Sequence, residues 1–186
     1  MKLGTINHQG RPALVAQKDG KPVLLSELYA SAGLGEAPRS MLDMIEEGRL
    51  AEVRAALEEG TAEPLDEAAL DWLPPQPRPS KVLGVAFNNM GIRKSAHRDP
   101  GVPNFFLKAP SCLTGHNKPI IMEEHFGETI PELELAAVIG KRCRKVTVEE
   151  AKDAIFGFTI TNDVTSHGLK FGLDSIATTR EKDLIR

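Results

Sequence analysis

The sequence has few cysteines and no long apolar run. Two of its 186 residues are cysteines, Cys112 and Cys143, and they do not have the spacing of a metal site. In a chain without a recognisable secretory signal, such residues are expected to be reduced structural thiols. The first ten residues are polar, and no apolar run reaches the length of about 18 residues that a membrane span needs. We therefore expect a cytoplasmic protein with no membrane partner.

An excess of positive charge is also missing. The chain has 23 lysines and arginines against 26 aspartates and glutamates, for a formal net charge of -3 at pH 7, and its basic residues are scattered. This distribution gives no electrostatic reason to expect nucleic acid as a partner. The chain does have 41% hydrophobic residues. At this length they can form a substantial core in one domain, or in one domain accompanied by a smaller one.

Short apolar groups near the N-terminus predict a small sheet. They are separated by polar turns at residues 8–10 and 18–21, a pattern typical of an antiparallel meander. Over residues 40–59 apolar residues recur instead every three or four positions, with Gly48 as a candidate break, which indicates helix. We therefore predict a small N-terminal α/β domain over residues 1–72.

A proline-rich stretch marks the predicted domain boundary. Residues 73–80 contain four prolines. Proline cannot continue a helix and favours an extended, stiff backbone. We therefore predict a linker over residues 73–80 and a second domain over residues 81–186.

The second domain begins with two predicted strands and a long loop. Residues 81–87 and 104–108 have the composition of strands, whereas residues 88–103 between them are largely polar. Loops of more than about 12 residues in compact domains are commonly lids or binding loops. This loop, which contains His97, is therefore a candidate lid.

Two glutamates in an apolar strand are the strongest chemical signal in the chain. Glu132 and Glu134 alternate with Leu133 and Leu135, so a strand would project both carboxylates from one face, with Cα atoms about 6.5 Å apart, and bury the leucines on the other. Carboxylates this close repel each other unless a cation balances them. Oxygen ligands suit Mg²⁺, Ca²⁺ or Mn²⁺ better than zinc. The pair therefore indicates either a hard divalent cation or a pair of surface acids.

A third carboxylate follows some thirty residues later. Thr147 and Glu150 form a capping-box signature that predicts the start of a helix, and the strand predicted over residues 158–164 places Asp163 on its polar face. The order strand, helix, strand allows Asp163 to reach the same site as the two glutamates, although strand adjacency is not fixed by sequence.

Several blocks of the sequence, including the two that contain these carboxylates, resemble sequences of the fumarylacetoacetate hydrolase superfamily. The Glu-x-Glu pair together with Asn162-Asp163 is the most specific part of the resemblance. The blocks lie at residues 81–88, 103–108, 132–141, 148–151 and 155–165.

The resemblance implies a fold, an assembly and a metal site. The fold would be α+β, a mixed β-roll catalytic domain preceded by the small N-terminal α/β domain, and the usual assembly would be a homodimer. By the same resemblance, Glu132, Glu134 and Asp163 would hold Mg²⁺, or Mn²⁺ or Ca²⁺, on which a small-molecule 2-oxo or diketo acid binds.

The activity implied first is divalent-metal-dependent hydrolysis of a C–C bond. The substrate would be a β-diketo or acylpyruvate-type acid, of the kind met in the catabolism of aromatic or sugar acids, and it would react through an enolate that the cation stabilises. Hydration or dehydration of a 2-keto acid, decarboxylation and tautomerisation are alternatives within the superfamily. A relative that binds a keto acid without catalysis is a further alternative.

The chain departs from the superfamily pattern where a general base is expected. The usual histidine and glutamate of the lid loop are replaced by Ile92 and Ser95. His97 lies five residues beyond the missing histidine, while His167 and Lys170 occupy positions where the superfamily has arginine and glutamine. These last three residues are the candidate catalytic residues. By the same resemblance, further barrel strands would follow Arg186, so we expect residues 81–186 to be the first half of the catalytic domain of a longer protein. Completion of the domain by a partner segment is the alternative.

Overall fold

The computed structural model of the protein describes residues 1–95 and 101–166, without the side chains of Ile92, Ser95 and His125. The helices are α1 Leu25–Ser31, α2 Met41–Glu46, α3 Leu50–Glu59, α4 Met90–Ser95 and α5 Val148–Asp153. The strands are β1 Leu3–His8, β2 Arg11–Lys18, β3 Lys21–Leu24, β4 Trp72–Leu73, β5 Val82–Ala86, β6 Asn104–Lys108, β7 Thr129–Ile130, β8 Leu133–Ile139, β9 Ile155–Asn162 and β10 Thr165–Ser166. None of the described helices has the length and apolar character that crossing a membrane requires.

The described residues group into two compact units. Unit 1 consists of Met1–Pro77, Thr114–Lys118 and Leu133–Thr161. Unit 2 consists of the described residues within 78–113, 119–132 and 162–166.

The N-terminal sheet of unit 1 is an antiparallel meander with one added strand. Its order is β3-β2-β1-β4, and β1 pairs with both β2 and β4. The turns that join the first three strands are formed by Gln9-Gly10 and Asp19-Gly20, all four with positive φ, the geometry that suits a tight hairpin. The meander predicted from these turn residues is therefore confirmed.

Helices α1 to α3 cover this sheet with an apolar core. Tyr29, Met44 and Val53 are fully buried within it, together with residues of β2 and β3. The predicted break at Gly48 is confirmed, because that residue has a φ of 66° and lies between α2 and α3. Burial of about ten apolar side chains in one cluster provides most of the stability of this region, since the hydrophobic effect is the dominant favourable term in folding.

The proline-rich stretch starts within unit 1. Leu73 pairs with Thr5, and the Thr5 hydroxyl donates a hydrogen bond of 2.7 Å to the Pro75 carbonyl oxygen. The first change of unit along the chain falls between Pro77 and Arg78. The division into residues 1–72, a linker and a catalytic domain over 81–186 stays a prediction.

Strands β8 and β9, joined through α5, are neighbours in a two-stranded sheet of unit 1. The Thr147–Glu150 capping box at the start of α5 is present as predicted. Beside it, the Gly140 N–H donates to the Ala154 carbonyl oxygen at 2.8 Å. A Cβ added to Gly140 would lie 2.7 Å from Cβ of Phe156, so only glycine allows the two chain segments to approach this closely.

The apolar face of this pair is exposed. Leu133 is 83% exposed and Ile160 is 73% exposed, and Leu135 and Phe158 are exposed as well. The expected burial of Leu133 and Leu135 is therefore wrong for the described residues. The physical reason is that, among the described residues, nothing packs closely enough against this stretch of the two strands to bury these side chains. The alternation itself is confirmed, because Glu134 on the other face is half-buried.

Unit 2 contains two short antiparallel pairs. The β5–β6 hairpin runs from the Val82–Lys108 pair to the Ala86–Asn104 pair. The second pair joins β7 with β10, so that Thr165 lies opposite Ile130. The helix α4 lies within the predicted long loop.

Candidate metal centre

Glu132 and Asp163 lie side by side in unit 2. Glu132 directly precedes β8 and Asp163 directly follows β9. The Asp163 N–H donates to the Glu132 carbonyl oxygen at 2.8 Å, and the Glu132 N–H donates to Oδ1 of Asn162 at 3.0 Å. These two bonds fix the backbone of both acidic residues. The adjacency that the sequence left open for these two carboxylates is therefore present.

The Asp163 carboxylate is buried and paired with a lysine. Asp163 is 5% exposed, and its Oδ1 forms an ion pair with Nζ of Lys108, the last residue of β6. A buried carboxylate is costly unless a cation or hydrogen-bond donors balance it. Lys108 supplies a positive charge at this position.

The Glu132 carboxylate is held by a hydroxyl group. Oγ1 of Thr165 donates a hydrogen bond to Oε1 of Glu132, and Thr165 is buried. The next residue, Ser166, is also buried, and its hydroxyl donates to the Phe126 carbonyl oxygen. Both residues of strand β10 are therefore anchored by their hydroxyl groups, which gives the Glu132 side chain a fixed partner.

Glu134, the third predicted ligand, belongs to unit 1, where it is half-buried on β8. Within residues 1–95 and 101–166, no three or more histidine, cysteine, aspartate or glutamate side chains stand in an arrangement that could hold a metal ion. The Glu132–Asp163 pair is thus described in unit 2, and the three-carboxylate site including Glu134 stays a prediction.

The three candidate catalytic residues cannot be placed, because His97, His167 and Lys170 lie outside the described residues. The start of the candidate lid is described. Phe87, which directly follows β5, has a φ of 55°, a conformation that bulky residues rarely adopt and that is typical of functional loops. Its carbonyl oxygen accepts a hydrogen bond from Nε of Arg93 on α4, which ties the helix to the end of the strand.

Sequence reasoning did not identify the partners of the two acids. Lys108 follows three apolar residues of β6, and a charged residue next to an apolar stretch is the same kind of signal that singled out the glutamates. Thr165 and Asn162 lie within the sequence block that contains Asp163, yet nothing in their spacing indicates a bond to Glu132.

A family model for the C-terminal domain of fumarylacetoacetate (FAA) hydrolase matches residues 83–184, which is more than half of the chain. Among curated proteins, the mitochondrial oxaloacetate tautomerase FAHD2A of Bos taurus is 33% identical over 139 residues, which cover 73% of this chain and 44% of that protein. The chain spans less than half the length of the curated relatives it matches.

Solved structures match nearly the whole chain. The fumarylacetoacetate hydrolase of Exiguobacterium antarcticum superposes with a TM-score of 0.71 at 25% identity, covering 98% of this chain and 62% of that one. A maleylpyruvate hydrolase of Sphingobium sp. SYK-6, solved in complex with manganese(II) and pyruvate, gives a TM-score of 0.67 at 26% identity with the same coverage. The predicted α+β fold is confirmed by these similarities. By family model, sequence and fold, the chain belongs to the fumarylacetoacetate hydrolase family.

Proposed function

We propose that the protein is a divalent-metal-dependent enzyme that forms the enolate of a small 2-oxo acid. The observation that carries the proposal is the buried carboxylate of Asp163, whose charge Lys108 balances. The Asp163 N–H also donates a hydrogen bond to the Glu132 carbonyl oxygen, which places the two acidic residues side by side. In the proposed site Glu132, Glu134 and Asp163 hold Mg²⁺, Mn²⁺ or Ca²⁺. The manganese ion and pyruvate in the related maleylpyruvate hydrolase support this assignment.

The described donor atoms fit such a cation. Glu132 and Asp163 offer carboxylate oxygens, which are the ligands that hard divalent ions prefer. The contact of Asp163 with an ammonium group indicates that the site attracts positive charge. The Thr165 hydroxyl orients Glu132, and outer partners of this kind commonly fix a ligand in the geometry that a metal needs.

A bound divalent cation would polarise the carbonyl oxygen of the substrate and stabilise the negative charge that develops there. The chain must supply a group that removes the proton from the carbon next to the carbonyl, within hydrogen-bonding reach of that carbon. His97, His167 and Lys170 are the side chains that we propose for this step. His97 belongs to the candidate lid loop, and His167 and Lys170 follow Asp163 within seven residues of the sequence. These sequence positions motivate the assignment.

Keto–enol tautomerisation is the reaction that we favour. It needs proton transfer alone, without an activated water. Ile92 and Ser95 stand where the superfamily resemblance leads us to expect a water-activating histidine and glutamate. The oxaloacetate tautomerase of Bos taurus, which covers 73% of this chain, supports this choice.

Hydrolysis of a C–C bond in a β-diketo or acylpyruvate-type acid is the second candidate. The fold neighbours that cover 98% of the chain include a fumarylacetoacetate hydrolase and a maleylpyruvate hydrolase. This reaction also passes through an enolate, but it requires a base that activates water. His97 is the residue that we propose for that role.

A substrate panel with Mg²⁺ or Mn²⁺ distinguishes these reactions. With oxaloacetate, acylpyruvates and 2-keto-3-deoxy acids, tautomerisation changes the enol absorbance without new products, hydrolysis releases two acids, and decarboxylation releases CO₂. We expect the first outcome. If no compound turns over while a keto acid still raises the melting temperature, the protein is a non-catalytic keto-acid binder and the catalytic proposal fails.

We also propose that the protein forms a homodimer. The exposed apolar side chains on β8 and β9, such as Leu135 and Phe158, motivate this assembly, because contiguous exposed apolar surface commonly marks an interface. Light scattering after size exclusion measures it directly. A dimer has twice the chain mass of 20.2 kDa, and a monomeric mass would contradict the proposal.

A further inference from the structure

We propose that Lys108 is a built-in counter-cation of the metal centre, whose ammonium group holds Asp163 when no metal is bound and is displaced by the divalent cation. This inference rests on the proposed metal-dependent function. It assigns to Lys108 a positioning role that sequence reasoning does not reveal.

Both side chains of the Lys108–Asp163 ion pair are largely buried. The Lys108 side chain is 12% exposed and that of Asp163 is 5% exposed. An ordinary surface lysine keeps its ammonium group in water, and an ion pair between exposed side chains contributes little. Lys108 instead gives up most of its hydration, and the Asp163 carboxylate takes the place of the lost water.

The backbone shows that this contact is not a chance side-chain conformation. Lys108 ends β6, where it lies opposite Val82 in a hairpin of five residue pairs. The backbone of Asp163 is also fixed, because its N–H donates a hydrogen bond to the Glu132 carbonyl oxygen. Both ends of the ion pair therefore start from fixed backbone positions within unit 2, so the pair is a regular part of this unit.

Competition for one carboxylate oxygen follows from the charges. A divalent cation liganded by Asp163 would stand close to the ammonium group of Lys108, and like charges within a few ångströms repel strongly where little water screens them. Metal binding must therefore break or stretch the Lys108–Asp163 pair.

The substitution Lys108→Met tests the competition in the full chain. Methionine keeps the length and much of the volume of the side chain but removes its charge. We expect the dissociation constant for Mn²⁺, measured by calorimetry without substrate, to fall at least tenfold. We also expect the metal-free melting temperature to drop by several degrees and to recover on addition of Mn²⁺, because the ion then supplies the missing positive charge.

Two further variants serve as controls. Lys108→Arg keeps the charge and should leave Mn²⁺ affinity within a factor of about three of the wild type, since arginine also pairs with carboxylates. Lys81→Met removes the charge of an exposed lysine next to β5 and should have no effect on either readout.

The outcomes separate this inference from the proposed function. If the wild type binds Mn²⁺ and Lys108→Met binds it equally or more weakly, Lys108 is not a competing cation and the inference is overturned while the metal centre stands. If neither protein binds Mn²⁺, the metal-dependent function fails and the inference falls with it. If Lys108→Met is unfolded without metal, circular dichroism during an Mn²⁺ titration decides: refolding supports the competition, and the absence of refolding contradicts it.

Discussion

At the scale of single residues, Glu132 is the acid whose surroundings are described most fully. Its N–H bonds to Asn162, its carbonyl oxygen accepts from Asp163, and its carboxylate accepts from Thr165. The two hydrogen bonds of the Glu132 backbone fix the position of its main chain, and the Thr165 hydroxyl fixes the orientation of its carboxylate. If Glu132 is a metal ligand, Thr165 is the partner that orients it.

The substitution Thr165→Val tests this orientation. Valine has the shape of threonine without the donor, so the Glu132 carboxylate loses its hydrogen bond while the packing is retained. We expect Mn²⁺ affinity to fall by about tenfold, the lower end of what such outer partners contribute. Calorimetry measures the affinity, with Thr159→Val on β9 as a control. An unchanged affinity for Thr165→Val would mean that the hydroxyl does not position a ligand.

A second pair of residues gives a pH-dependent prediction in unit 1. Asp71 forms an ion pair with Lys118, and its carboxylate also accepts a bond of 2.9 Å from Nδ2 of Asn7. Hydrogen bonding from Lys118, and then from Asn7, lowers the pKa of Asp71 below its ordinary value. Because the folded pKa lies below the unfolded one, this carboxylate stabilises the fold above the unfolded pKa, and the contribution disappears as the pH falls through the folded pKa.

We therefore expect Asp71→Asn to melt at a lower temperature than the wild type at pH 6 to 7. The difference should shrink as the pH falls below about 4, where the aspartate of the unfolded chain becomes protonated. Melting curves recorded from pH 7 to pH 3 measure it. A difference that does not change over this range would show that the ion pair has no linkage to folding.

At the scale of elements, helix α5 owes its start to one local device. The Thr147 hydroxyl accepts from the Glu150 N–H at 3.3 Å, and the Glu150 carboxylate accepts from the Thr147 N–H at 2.7 Å. Two hydrogen bonds to the Glu150 carboxylate, first from the Thr147 N–H and then from the Thr147 hydroxyl, lower the pKa of Glu150. We expect Thr147→Ala to reduce the free energy of unfolding by about 1 kcal/mol, measured by urea denaturation. Thr147→Ser keeps the hydroxyl and should restore most of the loss, whereas equal losses in the two variants would contradict the capping role.

The segment at Gly115 depends on a close approach between two parts of unit 1. A Cβ added at Gly115 would lie far inside van der Waals contact of the Trp72 carbonyl oxygen. We expect Gly115→Ala to lower the free energy of unfolding by about 1 to 3 kcal/mol, the usual range for overpacking. Gly157→Ala is the matched control, because nothing lies within 4 Å of a Cβ at that position. Equal stabilities of the two variants in urea would show that the Trp72 segment yields without cost.

Elements with a strong local signal could be predicted, and elements without one could not. The turn at Gly10, the break at Gly48 and the cap at Thr147 each depend on a few neighbouring residues, and all three are present. Residues 120–122 have the composition of a short strand, yet that stretch has no regular structure. Its three apolar residues suit a strand, but strand pairing depends on a distant partner that composition does not reveal.

At the scale of the whole molecule, the carboxylates were predictable and their partners were not. Alternation in the strand singles out Glu132 and Glu134 from sequence alone. By contrast, Lys108 and Asp163 are 55 residues apart, so their contact exists only through the fold. The exposure of Leu133 likewise depends on what covers the sheet, which periodicity cannot show.

Family membership and the carboxylate pair together lead to one central claim, that the protein forms an enolate with the help of a divalent cation. The most direct measurement is the exchange of the C3 protons of pyruvate in D₂O, followed by proton NMR with Mg²⁺. Pyruvate cannot undergo the C–C hydrolysis of a diketo acid, so the exchange reports enolate formation alone. We predict that the full chain accelerates exchange at least tenfold over Mg²⁺ alone. Folded Glu134→Ala and Asp163→Asn should abolish the acceleration, while Glu149→Ala, at an exposed position of α5, retains it. Exchange no faster than with Mg²⁺ alone, or undiminished in the two site variants, would contradict the claim.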